Sequence, residues 1–226
     1  MLDWLARLIA PINRVLFHIG ADAVSWAELL GFVTGAICVY LVVRANVHNF
    51  WTGILNSALF LLLFVTARLW ADASLQFIYI VLGFVGWWQW LHGGHHRAAL
   101  KVGRASARIL LACIACVAVG TLVLTPILRQ AHDIAPFLDA LTTSLSLAAQ
   151  FLLNAKKIQN WLFWIAADVI YIPLYFAKHL NLTGLVYVAF LGLAIAGGTQ
   201  WRRLESTARE SERALAASKA TAPVPA

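Results

Sequence analysis

Residues 75–90 read Leu75-Gln-Phe-Ile-Tyr-Ile-Val-Leu-Gly-Phe-Val-Gly-Trp-Trp-Gln-Trp90. They form most of an apolar segment long enough for a membrane-spanning helix, which needs about 20 residues. On a helix, Trp87 and Trp90 share one face, and Gln76 and Tyr79 continue that face towards the other end. An aromatic belt at the membrane surface does not explain an amide and a phenol several turns deeper. This face is therefore predicted to hold a flat, partly polar small molecule.

The composition extends the membrane prediction to the whole chain. Hydrophobic residues make up 62% of the 226 residues, charged residues make up 12%, and the mean hydropathy is +0.78. A soluble domain usually carries about twice that share of charge. Seven stretches are candidate spans, which predicts an all-α membrane protein with short loops. They are residues 26–44, 49–67, 74–91, 107–127, 135–153, 160–177 and 182–200.

The two ends of the chain are expected to lie outside the spans. Residues 1–22 place apolar side chains three and four residues apart around Arg7 and Arg14, which predicts an interfacial amphipathic helix rather than a signal peptide. Residues 204–226 are polar and rich in Ala, and they predict a frayed cytoplasmic tail. The transmembrane domain is then expected to cover residues 23–203.

The basic residues predict the orientation. With seven spans, one side of the membrane collects five of the 17 Lys and Arg residues and the other side collects twelve. The side with twelve faces the cytoplasm by the positive-inside rule, so the amino terminus is expected outside and the carboxyl terminus inside. This signal accounts for the net charge of +7 without a nucleic-acid partner. The twelve are Arg44, Arg97, Lys101, Arg104, Arg108, Lys156, Lys157, Arg202, Arg203, Arg209, Arg213 and Lys219.

An internal repeat divides the seven spans into three, one and three. Trp51 corresponds to Trp161, and Gln89-Trp90 corresponds to Gln200-Trp201, at almost the same interval in sequence. A single span between the two units makes them parallel, as in the small sugar carriers called SWEETs. The predicted units are repeat one (24–91), a linker helix (107–127) and repeat two (135–200).

A second polar cluster lies at the end of span five and along span six. Gln150 and Asn154 are one helical turn apart. Trp161, Trp164, Asp168 and Tyr171 step by three and four residues along one face, and Tyr171 is a candidate hydrogen-bond donor to Asp168. A carboxylate inside a span costs a few kcal/mol, which favours a functional role for Asp168. The structural alternative is a buried Asp that pins two helices. For the two tryptophans, the alternative is the interfacial belt.

Two segments resemble the Pnu family of vitamin transporters. They are Gly86-Trp-Trp-Gln-Trp-Leu-His-Gly-Gly94 with the basic loop after it, and Asn160-Trp-Leu-Phe-Trp-Ile-Ala-Ala-Asp168. The resemblance implies a SWEET-like three-plus-one-plus-three fold, a homotrimer, and facilitated diffusion of a nucleoside-like vitamin that a cytoplasmic kinase then traps by phosphorylation. The aromatic and amide site residues of the family map onto Gln76, Trp87, Trp90, Gln150, Asn154, Trp161 and Trp164.

The predicted site suits a flat aromatic cation, and nicotinamide riboside is the favoured substrate. Aromatic faces attract its pyridinium by about 0.5–2 kcal/mol, amides can bond its carboxamide and ribose hydroxyls, and Asp168 would balance its charge. Thiamine would use the same groups and remains an alternative, whereas a deoxynucleoside would not need the carboxylate. No Lys or Arg lies in the middle of a span, so phosphorylated forms are expected to be excluded. The predicted binding residues are Gln76, Tyr79, Trp87, Trp90, Gln150, Asn154, Trp161, Trp164 and Asp168.

Other chemistries have weaker support in the sequence. Cys113 and Cys116 have metal or redox spacing but lie within a span without further ligands nearby. His92, His95 and His96 form a loop beside the membrane, where a solvated role is favoured over a metal site. A light sensor would need a lysine in the last span, which has none. We therefore expect a transporter of the inner membrane, without enzymatic activity, metal or cofactor.

Overall fold

Seven α-helices and a small antiparallel ribbon make up the described part of the fold. The computed structural model describes residues 14–19, 22–66, 70–131, 134–177 and 181–221. The predicted helices are confirmed, with starts and most ends within a few residues of the expected bounds. The elements are β1 (Val15–Ile19), β2 (Asp22–Ser25), α1 (Trp26–Val43), α2 (Asn49–Thr66), α3 (Trp70–His92), α4 (Ala107–Gln130), α5 (Pro136–Asn154), α6 (Asn160–Ala177) and α7 (Asn181–Thr221).

Within the described residues, six helices, α2 to α7, are long and apolar enough to cross a membrane. The apolar part of α1, Leu29–Val43, is shorter, and this helix packs against α2 and α7. Large apolar side chains remain exposed on the outside of the bundle, such as Leu122 on α4 at 73%. Such exposure suits a bundle surrounded by lipid, and the multi-pass membrane prediction is confirmed.

The segment before α1 differs from its prediction. Strands β1 and β2 pair antiparallel, with Ile19 opposite Asp22. The predicted interfacial helix over residues 1–22 is therefore wrong for residues 15–19 and for Asp22. Val-Leu-Phe-His-Ile is rich in β-branched and aromatic side chains, which favour an extended strand. Residues 1–13 of the predicted helix lie outside the described residues.

The last helix also differs from its prediction. It continues beyond the expected end of the span at residue 200 as far as Thr221. Ala, Arg and Glu in this part are good helix formers. Glu205 also forms an ion pair with Arg209, which lies one turn further along the helix. The predicted frayed tail is therefore wrong up to Thr221, and residues 222–226 lie outside the described residues.

The helices of the two halves match at a constant interval in sequence. Helices α2 and α6 begin at Asn49 and Asn160, and α3 and α7 contain Trp90 and Trp201. The difference in residue number is the same for both pairs of residues, and we call it the repeat interval. Each of the two asparagines donates from Nδ2, over 2.6 Å, to the carbonyl oxygen three residues before it. The turns ahead of them also match, because Ala45 and Lys156 have φ values of 50° and 54°.

Two tryptophans join the halves at one end of the bundle. Trp90 Nε1 donates to the Leu153 carbonyl oxygen over 3.0 Å, and Trp201 Nε1 donates to the Val42 carbonyl oxygen over 2.8 Å. Each tryptophan lies in the third helix of one half and bonds the last turn of the first helix of the other half. Their exposed fractions are 2% and 0%.

Two further aromatic rings complete this closure. Phe50 meets Trp90 edge-on with centroids 5.0 Å apart, and Trp161 meets Trp201 edge-on at 5.6 Å. We call these four side chains the tryptophan cluster. Edge-to-face pairs add about 0.5–1.5 kcal/mol each beyond the apolar area they bury. The repeat interval therefore pairs Trp161 with Phe50, and the predicted correspondence of Trp161 with Trp51 is wrong by one residue.

The basic loops meet at the same end, which we call the basic end. The Ala105 amide donates to Gln159 Oε1 over 2.9 Å, and Arg104 bonds the buried Glu205 carboxylate over 3.3 Å. These contacts tie the loop after α3 to the loop after α5 and to α7. The Lys156 ammonium lies 4.2 Å from the centre of the Trp90 ring, and burial lowers the pKa of this lysine.

Candidate functional site

A cavity of about 530 Å³ lies between the two halves of the bundle. Its described lining comes from α1, α2 and α3 of the first half and from α5, α6 and α7 of the second. The volume is in the range of pockets that bury a small organic ligand. The tryptophan cluster closes the bundle at the basic end, and the opposite end of the lining carries Asp72, Tyr175 and Thr183.

Six of the nine residues predicted to bind substrate line this cavity. They come from helices that are far apart in sequence, and the residues of α6 share the face predicted from their spacing. The six are Gln76 and Tyr79 on α3, Gln150 on α5, and Trp161, Trp164 and Asp168 on α6.

Asp168 is the residue of the cavity lining whose charge is most costly to bury. Its exposed fraction is 5%, and it has no hydrogen bond or ion pair with another residue in the described part of the chain. A buried ionised carboxylate is costly unless something balances its charge. Tyr171, one turn further along α6, also lines the cavity. The arrangement therefore offers a negative charge, or a bound proton, to whatever occupies the cavity.

Gln150 is oriented by Asn154, a residue outside the cavity lining. Its Nε2 donates to Asn154 Oδ1 over 3.0 Å, and Asn154 Nδ2 donates to the Leu82 carbonyl oxygen of α3 over 2.8 Å. Asn154 does not line the cavity, and its exposed fraction is 4%. The bonds it makes orient the Gln150 amide rather than offering a group of its own to a ligand.

Trp87 and Trp90 lie outside the cavity wall. Only one part of the α3 face predicted from the sequence lines the cavity. Gln76 and Tyr79 reach the cavity, whereas the two tryptophans lie beyond it at the basic end. Trp87 packs on Trp51 with ring centroids 5.2 Å apart, and Trp90 belongs to the tryptophan cluster. Both tryptophans make packing contacts in the structure, and their predicted contact with a ligand stays a prediction.

Several lining residues are absent from the set predicted to bind substrate. Tyr171, Tyr175 and Tyr187 pack on one another, with ring centroids 4.7–5.5 Å apart. The spacing already placed Tyr171 on the face of Trp164 and Asp168, although without a binding role, and the same stepping could have found Tyr175. Tyr187 on α7 gives no such signal. Asn56 and Asp72 are polar residues of apolar helices, and that rarity marks such positions for attention.

The wall carries no basic side chain among its described residues. It also carries Asp72 besides Asp168, so the charge it offers is acidic. Within the described ranges, His, Cys, Asp and Glu side chains do not gather in groups of three that could hold a metal ion. The chemistry available is therefore stacking on aromatic rings, hydrogen bonding to amides and hydroxyls, and attraction of a cation.

Comparison with known proteins identifies the family. The sequence matches the family described as nicotinamide mononucleotide transporter over residues 25–203. It is 24% identical to the nicotinamide riboside transporter PnuC of Escherichia coli K12, covering 90% of this chain and 97% of that protein. It is 27% identical to PnuC of Neisseria mucosa, covering 89% and 80%.

Two further matches bear on the fold and on the range of substrates. The riboflavin/roseoflavin transporter RibM of Streptomyces davaonensis is 25% identical, covering 84% of this chain and 91% of that protein. A crystal structure of the vitamin B3 transporter PnuC superposes with a TM-score of 0.66 at 24% identity, covering 91% of this chain and 88% of that one. The resemblance to the Pnu family is thus confirmed, and the chain is a membrane protein that belongs to the nicotinamide mononucleotide transporter family.

Proposed function

We propose that this transporter carries nicotinamide riboside across the membrane by facilitated diffusion. The observation that carries the proposal is the buried Asp168, which has no partner among the described residues and lies in a wall of aromatic rings and amides. A pyridinium has a permanent positive charge that it cannot shed as a proton, so it would balance the carboxylate on entering the cavity. The curated relatives named as PnuC are nicotinamide riboside transporters, which supports the same choice.

The lining suggests how the riboside is held. Trp164 and the tyrosines offer π-faces to the pyridinium, an attraction of about 0.5–2 kcal/mol for each face. Gln150 and Gln76 offer amide groups that both donate and accept, which suits the carboxamide and the ribose hydroxyls. Direct contact is proposed for Gln76, Tyr79, Gln150, Trp161, Trp164 and Asp168, and a supporting role for Trp87, Trp90 and Asn154.

The same wall argues against a phosphorylated substrate. The family name refers to the mononucleotide, whose phosphate would need basic partners inside the cavity. The described lining offers Asp72 and Asp168 and no Lys or Arg, so the phosphate would be desolvated and repelled. We therefore favour the riboside, with phosphorylation by a cytoplasmic kinase retaining it inside the cell.

Two other vitamins compete with this proposal. Thiamine is also a flat aromatic cation and would use the same carboxylate and rings. Riboflavin is suggested by the relative RibM, but it is neutral and leaves the charge of Asp168 unbalanced. The buried carboxylate therefore ranks both cations above riboflavin and above neutral deoxynucleosides.

The membrane arrangement is proposed from the same features. Residues 23–203 would form a SWEET-like three-plus-one-plus-three transporter domain in the inner membrane, with α4 as the linker helix. The twelve basic residues would place the basic end in the cytoplasm, with the amino terminus outside and the carboxyl terminus inside. A homotrimer follows from the family resemblance.

The test is calorimetry on detergent-purified protein with nicotinamide riboside, thiamine, riboflavin and nicotinamide mononucleotide. Binding of the riboside at least about a hundredfold tighter than the mononucleotide is expected. Thiamine as the tight ligand would keep the mechanism and change the substrate, and tight mononucleotide binding would contradict the proposal. In proteoliposomes held at zero membrane potential, riboside uptake should stop when the concentrations on both sides are equal, whereas accumulation at zero potential would contradict facilitated diffusion.

A further inference from the structure

Asn56 lies in the cavity wall on α2 and has no role in the function proposed above. Its side-chain nitrogen donates to the Gly31 carbonyl oxygen over 2.7 Å and to the Thr34 hydroxyl oxygen over 2.8 Å. An amide nitrogen carries two hydrogens, so both are committed to α1. Its Oδ1 oxygen has no partner in the part of the chain that the structure describes.

The neighbours of this amide fix its direction. Thr34 donates its single hydroxyl hydrogen to the Leu30 carbonyl oxygen over 2.7 Å, so it can only accept from Asn56. A flipped amide would bring two acceptor oxygens together at Gly31. The two helices approach this closely because Gly31 has no side chain, since a Cβ there would lie 2.5 Å from Phe60 Cζ. Asn56 therefore offers the cavity an acceptor and no donor.

We propose that Asn56 is a specificity-determining residue that accepts a hydrogen bond from a hydroxyl or amide N–H group of the transported ligand. The inference rests on the proposed function and narrows it. Gln150 differs, because it uses one of its two N–H groups in the bond to Asn154 and can still donate. The Asn56 oxygen can only accept, so it discriminates between a ligand that carries a donor at that place and one that does not.

The discrimination follows from the cost of leaving this oxygen unpaired once a ligand covers it. A ligand that fills the cavity displaces the water that would otherwise pair with Oδ1. If the ligand supplies a hydroxyl or N–H there, the bond is replaced, and if it supplies an ether or a methyl group, the oxygen is left unpaired. Sites built to pair a ligand donor reject analogues without it far better than they reject a change of size.

The experiment is a cycle that changes the protein and the ligand together, read by calorimetry. Wild-type protein and Asn56→Ala are titrated with nicotinamide riboside and with analogues that each lack one donor, namely the 2′-deoxy, 3′-deoxy and 5′-deoxy ribosides and the N,N-dimethyl carboxamide. The Ala variant leaves Thr34 bonded to Leu30, so the donor on α1 stays paired. Asn56→Leu is the second variant, of nearly the same size, should the first fail to fold.

Wild-type protein should bind nicotinamide riboside about tenfold tighter than the analogue that lacks the donor facing Asn56. That difference should disappear in the Asn56 variant, because the acceptor is gone. The matched control is Thr52→Val, one turn earlier on α2, outside the cavity lining and bonded to the Asn49 carbonyl oxygen over 2.9 Å. It should keep the wild-type discrimination.

Two results overturn the inference, and they are distinguishable. In the first result, wild-type protein binds the riboside and the Asn56 variants discriminate against every analogue as wild type does. Asn56 then accepts no hydrogen bond from the ligand, and the proposed function stands. If wild-type protein binds none of these pyridinium ribosides, the proposed function fails and takes this inference with it.

Discussion

At the basic end the two halves of the bundle use the same contacts at positions separated by the repeat interval, whereas their cavity walls carry different side chains. The indole N–H groups of Trp90 and Trp201 both bond the opposite half, and Phe50 and Trp161 both pack edge-on against them. Along the cavity, the same interval pairs an apolar or small residue of α1 or α2 with a polar or aromatic residue of α5 or α6. The pairs are Gly35 and Ser146, Val39 and Gln150, Gly53 and Trp164, Ser57 and Asp168, Phe60 and Tyr171, and Phe64 and Tyr175.

This difference distinguishes the contacts that hold the bundle together from the side chains that a ligand in the cavity would contact. The closure is symmetric because each half must present the same surface to the other. The cavity is asymmetric, which suits a ligand with one charged, polar side and one apolar side. The wall from α5 and α6 carries Asp168, Gln150 and Trp164, while the wall from α1 and α2 carries the oriented acceptor of Asn56 and otherwise mainly Gly and apolar side chains.

The largest expected effect comes from removing the charge of one wall. Asp168→Asn should weaken binding of nicotinamide riboside by about 2–5 kcal/mol, at least about thirtyfold, because the buried cation loses its counter-charge. Binding of a neutral nucleoside should change much less. Calorimetry with both ligands measures the two losses.

The equivalent position in the other wall supplies the control for that prediction. Ser57→Ala should change riboside affinity less than about threefold, because the lost group is neutral and stands opposite the charged wall. An equal loss for the cationic and the neutral ligand in Asp168→Asn would assign this residue to helix packing instead.

The second effect tests the aromatic surface of the same wall. Trp164→Ala should weaken riboside binding by about 1–2 kcal/mol, roughly fivefold to thirtyfold, because a π-face for the cation is lost. Trp88→Ala is the matched control, since its side chain is 59% exposed on the outside of the bundle. Fluorescence or calorimetric titration measures the riboside affinity of both variants. Equal affinity in the two would show that Trp164 does not contact the ligand.

Trp161 is a poorer test of binding than its neighbour. Its exposed fraction is 3%, and it packs against Trp201 and Gly197. Replacing it with Ala would leave a cavity in the tryptophan cluster, at about 3–5 kcal/mol of stability. Weaker binding in that variant would therefore not distinguish a lost contact from a loosened fold.

The smallest effect tests the symmetric closure. Trp90→Phe and Trp201→Phe should each lower the free energy of unfolding by about 1 kcal/mol, because each loses one hydrogen bond while its ring largely remains. The Leu153 and Val42 carbonyl oxygens stay paired with backbone amides of the following turns. Thermal unfolding in detergent should show similar losses in both variants. Trp90→Phe should keep riboside affinity within about threefold, and a larger loss of affinity would return Trp90 to the binding wall.

The sequence predicted the helices well because apolar length and polar breaks suffice to define them. It also predicted the α6 face, since regular spacing orients Trp164 and Asp168 together. It did not predict that Trp87 and Trp90 lie outside the cavity lining, because periodicity assigns a face of a helix but not how far along that face the cavity extends. Asn56 was missed because its role depends on bonds to Gly31 and Thr34 across two helices.

A structure of the protein with nicotinamide riboside bound would show which wall of the cavity holds the ligand. We expect the pyridinium within contact distance of Trp164 and Asp168, with the ribose or carboxamide reaching Gln150 and the Asn56 oxygen. A ligand bound against α1 and α2 alone, or outside the cavity, would contradict the proposed role of Asp168.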